Sequence, residues 1–199
     1  MYEFRYILGL ILIVIVPLVI VFWTVIHLGS SFWRQRPAWQ AYSTAFAFLA
    51  VSTILLWLNR DTLMGRDLGL NWLLFVPGAA LYLASIAMAR PIRKHLSLAT
   101  FAGVPEITNQ PIPLLESGPF SVVRHPRYLM VIVGIIGWVM MVNWSGVYVV
   151  ALLGVIGLVG IIMLEERDLR ARFGAAYSDY STRVPMLLPR LGSLSNFFD

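Results

Sequence analysis

The chain has 199 residues, 59% of them hydrophobic and only 13% charged, against roughly 25% charged in a soluble domain. Fifteen Lys and Arg against ten Asp and Glu leave a net charge of +5, but the basic residues flank apolar runs and read as membrane topology, not as a nucleic-acid surface. The absence of cysteine excludes a disulfide framework and a thiol nucleophile, and three widely spaced histidines argue against a protein metal site.

Residues 6–33 carry no Asp, Glu, Lys or Arg, which predicts a first spanning helix over 7–28, with Pro17 as a candidate kink. The run is too long, and lacks the basic leader, for a cleaved signal peptide. His27 lies near the inner end of this helix. An ionisable group inside a span is a functional candidate, and this near the end it reads as a hydrated structural histidine. A second uncharged run predicts a helix over 41–58, and a third a helix over 70–89.

Residues 128–164 are again uncharged but are broken by Asn143-Trp144-Ser145-Gly146, a turn signal. The two halves are about 15 and 18 residues, short for full spans. They predict a helical hairpin, helices four and five, thinned or tilted at its tip, with a re-entrant hairpin as the alternative. The expectation is an all-α polytopic bundle forming one membrane domain over 1–199. Its parts are three N-terminal spans (1–89), a cytoplasmic loop (90–127), the hairpin (128–164) and a cytoplasmic C-terminal segment (165–199).

Five spans with the C-terminus inside place twelve basic residues on the inner side, from Arg34 and Arg36 through the Arg90–Arg127 loop to Arg190. Only Arg5, Arg60 and Arg66 fall outside. The excess predicts a multi-pass protein with N-terminus out and C-terminus cytoplasmic. The inner loop holds Pro91, Pro105, Pro111, Pro113, Pro119 and Pro126 and cannot be one long helix. After the hairpin, Leu169, Phe173, Tyr177 and Tyr180 recur at helical spacing, with Gly174 as a bend and Pro185 and Pro189 as stops.

Three groups could carry chemistry. In Arg124-His125-Pro126-Arg127-Tyr128 the proline suits the first position of the fourth helix. That would set free backbone amides beside Arg124 and His125, a place for a carboxylate or phosphate. The plainer reading is interfacial anchoring by Arg127 and Tyr128. Glu165 and Glu166 follow the fifth helix directly. Glu165, Leu169 and Arg172 share one helical face, Glu166, Arg170 and Phe173 the next. They could hold a ligand's cation and anion, or form exposed ion pairs of a few tenths of a kcal/mol. Tyr128, Tyr177 and Tyr180 could stack on a planar ring, or belong to an interfacial belt.

Their order is more telling than any one of them: Gly118-Pro119-Phe120, then RHPxY, a hairpin, EExxL, FGxxYxxY, and two prolines. This stretch, Gly118 to Pro189, resembles the isoprenylcysteine carboxyl methyltransferase and phospholipid methyltransferase group of integral-membrane enzymes. The N-terminal helices resemble it only in hydropathy. The resemblance implies S-adenosylmethionine as cofactor, held by cytoplasmic loops and the last helices, with the methyl acceptor arriving from the bilayer. It implies cofactor contacts at Gly118, Pro119, Arg124, His125, Pro126, Tyr128, Glu165, Glu166 and Tyr177. Glu166 and Arg172 take the catalytic positions, Arg172 orienting an acceptor carboxylate, and Tyr180 falls on the second family tyrosine. Phe120 stands where the family often has Tyr. No metal is implied.

The expected activity is methylation of a lipophilic acceptor, foremost a carboxylate as in prenylcysteine, with phospholipid amines and small thiols as alternatives. Partners would be that small-molecule, prenylated or lipid substrate and the membrane lipids, with no nucleic acid. Two other classes compete: a membrane sterol-type reductase using NADPH, for which the loops offer few phosphate-binding cations, and a non-enzymatic membrane component.

Overall fold

A computed structural model describes residues 1–108, 113–190, 192–193 and 195–198; Pro111 of the inner loop lies outside the described residues. Among these residues the chain is helical throughout. The elements are α1 (Tyr2–Leu28), α2 (Ser30–Trp33), α3 (Ala38–Leu58), α4 (Arg60–Met64), α5 (Trp72–His95), α6 (Leu98–Phe101), α7 (Val104–Ile107), α8 (Pro119–Val122), α9 (Pro126–Val142), α10 (Ser145–Phe173) and α11 (Ala175–Arg183). Four of them, α1, α3, α5 and α10, are long and apolar enough to cross a membrane, and α9 is a shorter apolar helix.

Several spans exceed their predicted bounds, with α3 starting at Ala38 and α10 running on to Phe173. The first begins at Tyr2, because Arg5 is a buried member of the helix, not its exposed end. The third runs on to His95 through Pro91. A proline there removes one donor, while Arg93, Lys94 and His95 in the last turn suit the negative end of the helix dipole. Among its described residues the rest of the inner loop forms the single turns α6, α7 and α8, in keeping with its prolines.

The order of contacts sets the packing. Val16 of α1 meets Gly154 of α10, Ile20 meets Gly157, and His27 meets Asp168, so α1 and α10 run parallel. The Trp138 indole donates to the Leu8 carbonyl at 3.1 Å, so α9 descends beside α1 in the opposite sense. Helices α5 and α9 pack antiparallel through small residues. A Cβ on Gly137 would lie 2.5 Å from the Gly78 carbonyl oxygen and 2.6 Å from the Tyr82 nitrogen. Such close backbone approach is how helices associate where lipid leaves no hydrophobic drive. Leu12, Ile13 and Val16 of α1 with Val147, Leu158, Ile161 and Ile162 of α10 form the largest core. Helix α3 buries little beyond Ala41 and Ala45.

The end of the bundle that holds the N-terminus, labelled outer after the expected topology, is closed by polar contacts. Arg5 pairs with Asp67 and donates to the Val142 carbonyl at 2.9 Å and the Asn143 carbonyl at 3.2 Å, carbonyls that α9 leaves free at its end. The turn between α9 and α10 pairs with the 66–69 loop: Leu68 N donates to Asn143 O, and Ser145 N to Arg66 O. With 17 residues α9 is about 25 Å long, short of the ~30 Å hydrocarbon core. Its tip nevertheless shares a level with Arg5 and the residues just before α5. That favours a full hairpin over the re-entrant alternative.

The α5–α9 contact has no slack, since backbone atoms, not flexible side chains, stand where a Cβ would go. Gly137→Ala should lower the thermal unfolding midpoint in detergent, by about 1–3 kcal/mol of overpacking. Gly160→Ala, with nothing within 4 Å of the new methyl, should leave it unchanged. Equal midpoints for the two variants would refute the close approach.

Candidate active site at the inner end

The inner end is organised by one carboxylate. Glu166 lies on α10, about two turns before Gly174 ends the helix at φ +54°. Its Oε1 accepts from Arg124 Nε at 2.9 Å, His125 Nε2 at 2.9 Å and the Tyr177 hydroxyl at 2.6 Å. Its Oε2 accepts from Arg170 at 3.2 Å. Arg124 also donates to the carbonyls of Ser181 (2.7 Å) and Val184 (3.0 Å). The backbone amides of Arg124 and His125 donate to Pro185 and Met186, and the Tyr180 hydroxyl to the Phe120 carbonyl at 2.6 Å. Helix α11 is thereby strapped across the start of α9.

Gly118 and Pro119 shape the approach. Gly118 has φ +57°, and a Cβ there would collide with the His95 ring at 2.6 Å, so glycine is required on both counts. Pro119 is the buried first residue of α8, and Pro126 starts α9 as its spacing predicts.

Beneath this strap lies a cavity with about 720 Å³ of unfilled space, counting its open mouth. A smaller lobe adjoins it, and Leu96, Thr100, Glu106, Phe120, Arg124 and Glu165 line both. The main lobe takes Tyr177, Tyr180, Arg172, Asp168, Leu169, Phe173, Arg34 and His27 as further walls. The smaller lobe takes His125, Pro126, Arg127 and Tyr128. Gly118, Pro119 and Glu166 stand behind these walls.

The paired acids therefore face different ways. Glu166 has its carboxylate taken up by the strap. Glu165 opens on both lobes, and its Oε2 lies 3.9 Å from both His125 Nδ1 and Arg127. The predicted face of Glu165, Leu169 and Arg172 lines the cavity. Arg172 is partly committed, donating to the Pro105 carbonyl at 2.6 Å. Arg127 lies over the Trp23 ring at 4.4 Å and donates to the Tyr128 hydroxyl at 3.1 Å.

Burial pushes the hydroxyls of Tyr177 and Tyr180 well above their ordinary range, and the Glu166 contact pushes Tyr177 further. Both stay protonated and act as donors. Phe120 lacks the hydroxyl of the related tyrosine, but its ring lines both lobes and its carbonyl holds Tyr180.

Three charged cavity residues escaped the sequence reading of the site. Arg34 follows α2, Glu106 lies in α7, and Asp168 is one turn beyond Glu165. Asp168 could have been found from its i,i+3 spacing to Glu165; Arg34 and Glu106 meet the site only through the tertiary fold. His27 is fully buried, so the hydrated histidine expected from sequence is corrected: α7 and α10 close over the helix end.

Among the described residues, seven buried side-chain polar atoms have no partner within hydrogen-bond distance. Six of them belong to His27, Arg34, Glu106, Glu165 and Asp168, all of which line the main lobe. Buried polar groups are nearly always paired, so this concentration marks a place built for a polar ligand.

A sequence model described as phospholipid methyltransferase matches residues 73–176, just over half of the chain. Over 72 residues the chain is 40% identical to methanethiol S-methyltransferase 2 of Bradyrhizobium diazoefficiens, covering 36% of this chain and 27% of that protein. Over 79 residues it is 35% identical to the cobalt-zinc-cadmium resistance protein CzcN of Cupriavidus metallidurans, covering 39% of this chain and 36% of that protein. The chain thus spans only about a quarter to a third of the curated relatives it matches. No solved structure matches it.

Glu106 tests the electrostatics of the cavity. Burial, and next the Glu165 charge, raise its carboxyl above the ordinary range. The folded protein then holds this proton to higher pH than the unfolded chain, so stability falls as pH rises from the ordinary carboxylate range through the raised value. Glu106→Gln should melt higher than wild type at neutral pH, and the gap should close as the pH drops below that range. A gap independent of pH would contradict the assignment.

Proposed function

The chain belongs to the phospholipid methyltransferase family, and we propose that it is a membrane methyltransferase that takes its methyl group from S-adenosylmethionine and gives it to a small lipophilic acceptor. The observation that carries the proposal is the set of unpartnered buried groups facing one cavity. Its chemistry complements that donor: Glu106, Glu165 and Asp168 suit an ammonium and a sulfonium, the free Arg34 nitrogen suits a carboxylate, and Phe120, Phe173, Tyr177 and Tyr180 suit a flat purine.

When bound, the sulfonium supplies an activated methyl group for in-line displacement. The protein's part is to bind, orient and exclude water. Glu165 and Glu106 hold the cationic end of the ligand. Tyr177 and Tyr180, kept protonated by burial, cover its ring. Glu166 is a positioning residue: by gripping Arg124, His125 and Tyr177 it keeps the α11 strap shut. His125 and Tyr128 form the wall of the smaller lobe. Arg172 stands at the main lobe, where an acceptor carboxylate would meet it.

For the acceptor, the sequence pointed first to a prenylcysteine-like carboxylate. A small apolar thiol has more support. One relative is named for methanethiol, and Arg124 and Arg172 already donate to backbone carbonyls. The cluster of basic residues at the cavity's end supports a cytoplasmic inner side, with N-terminus out and one membrane domain over the whole chain.

Calorimetry on detergent-purified protein tests the donor. S-adenosylmethionine should bind and NADPH should not. Glu165→Gln should weaken binding about tenfold or more, as expected for a charge-assisted contact of ~1.5–3 kcal/mol, without lowering the unfolding midpoint. Binding of NADPH alone would move the chain to reductase chemistry, and undiminished affinity in the Gln variant would remove Glu165 from the site.

A further inference from the structure

His27 is the one histidine among the described residues with both ring nitrogens unpartnered and buried. It shows no exposed surface, lines the main lobe, and lies 3.9 Å through Nδ1 from Asp168 Oδ2, an oxygen that also lacks a partner. The ring stacks on Trp23 at 5.4 Å between centroids. Trp23 is in turn covered by Arg127, so the imidazole is fixed in plane. The groups around it are Asp168 and Glu165 from α10, Glu106 from α7 and Arg34 beyond α2. Packing alone would be served as well by an apolar side chain. An imidazole with one nitrogen toward a carboxylate and the other free has the arrangement of a general base and its orienting acid.

Resting on the methyltransferase reading above, we propose that His27 is the general base that deprotonates a neutral thiol acceptor, with Asp168 as its positioning residue. The acceptor S–H bond breaks and its proton passes to a ring nitrogen of His27. The thiolate sulfur forms a bond to the methyl carbon, the bond from that carbon to the sulfonium breaks, and its electron pair stays on the departing sulfur. The products are a thioether, neutral S-adenosylhomocysteine and an imidazolium, which later releases its proton to water. A thiol needs such a base because its proton must leave, whereas a carboxylate arrives already ionised. This inference assigns a role to α1, which lies outside the matched family region.

The test uses full-length protein in detergent and two thiols. Benzyl mercaptan is weakly acidic; 4-nitrothiophenol is ionised throughout the assay range. In wild type, kcat/KM for benzyl mercaptan should level off well below the pH at which that thiol ionises by itself. His27→Asn should lower it by about a hundredfold or more, the usual contribution of a general base. It should lower the rate on 4-nitrothiophenol by less than about tenfold, and calorimetric affinity for S-adenosylmethionine should hold within about threefold. A readout without turnover is the ultraviolet thiolate band of benzyl mercaptan bound beside S-adenosylhomocysteine, present in wild type and lost in His27→Asn. Asp168→Asn should give a smaller loss with the same thiol selectivity. Equal losses on both thiols would overturn the proposal. So would a wild-type profile that rises in step with the thiol's own ionisation, a result that needs no folded variant. Wild-type protein that binds no S-adenosylmethionine would instead overturn the methyltransferase reading, and this inference with it.

Discussion

The Glu166 carboxylate is the contact on which the inner end depends. A carboxylate buried at the edge of a membrane is costly unless its oxygens are occupied. Here Arg124, His125, Tyr177 and Arg170 occupy them. Those donors come from the start of α9, from α10 itself and from α11. The segment that opens α9, 41 and 42 residues upstream of Glu166, is therefore tied to α10 and α11 at one point. The cavity exists because that tie holds α11 over the gap between α10 and the single turns of the inner loop.

The two ends of the bundle treat buried charge in opposite ways. At the outer end Arg5 finds a carboxylate and two carbonyls, and Asn143 donates to Gly69 while accepting from Tyr148. Among the described residues there, only the Trp144 indole is left over. At the inner end the same chain leaves carboxylate, guanidinium and imidazole atoms unpaired within one cavity. Loose packing would not sort itself by end. Glu106 makes the cost visible, since its charged form is disfavoured where it sits. Sites that bind charged ligands keep such groups poised at the expense of stability.

The helical membrane class was legible because charge-free runs state it directly, and the break at Asn143-Trp144-Ser145-Gly146 located the hairpin. Ends were less legible. Arg5 looked like a flank and is a buried tie, since its partners Asp67 and Val142 lie far along the chain. Within the inner site, the ordered motifs converge on one cavity and the strap over it. Helical spacing put Glu165, Leu169 and Arg172 on one face, and that face lines the cavity. What spacing could not say is which of two adjacent acids is taken by the fold. That depends on donors 41 and 42 residues upstream, at His125 and Arg124. Arg34 and Glu106 carried no local signal at all.

This distribution bears on how far relatives can speak for the chain. The matched family region runs over residues 73–176 and includes the α9–α10 hairpin and the paired acids. His27 and Arg34 lie before it, on the N-terminal stretch that precedes α5. Yet both line the main lobe beside Asp168 and Arg172. The cavity is thus walled partly by the matched region, with Glu106, Glu165 and Asp168, and partly by α1 and the turn after α2. On the reading proposed above both walls would bear on the ligand, because buried charge in one wall is answered by buried charge in the other.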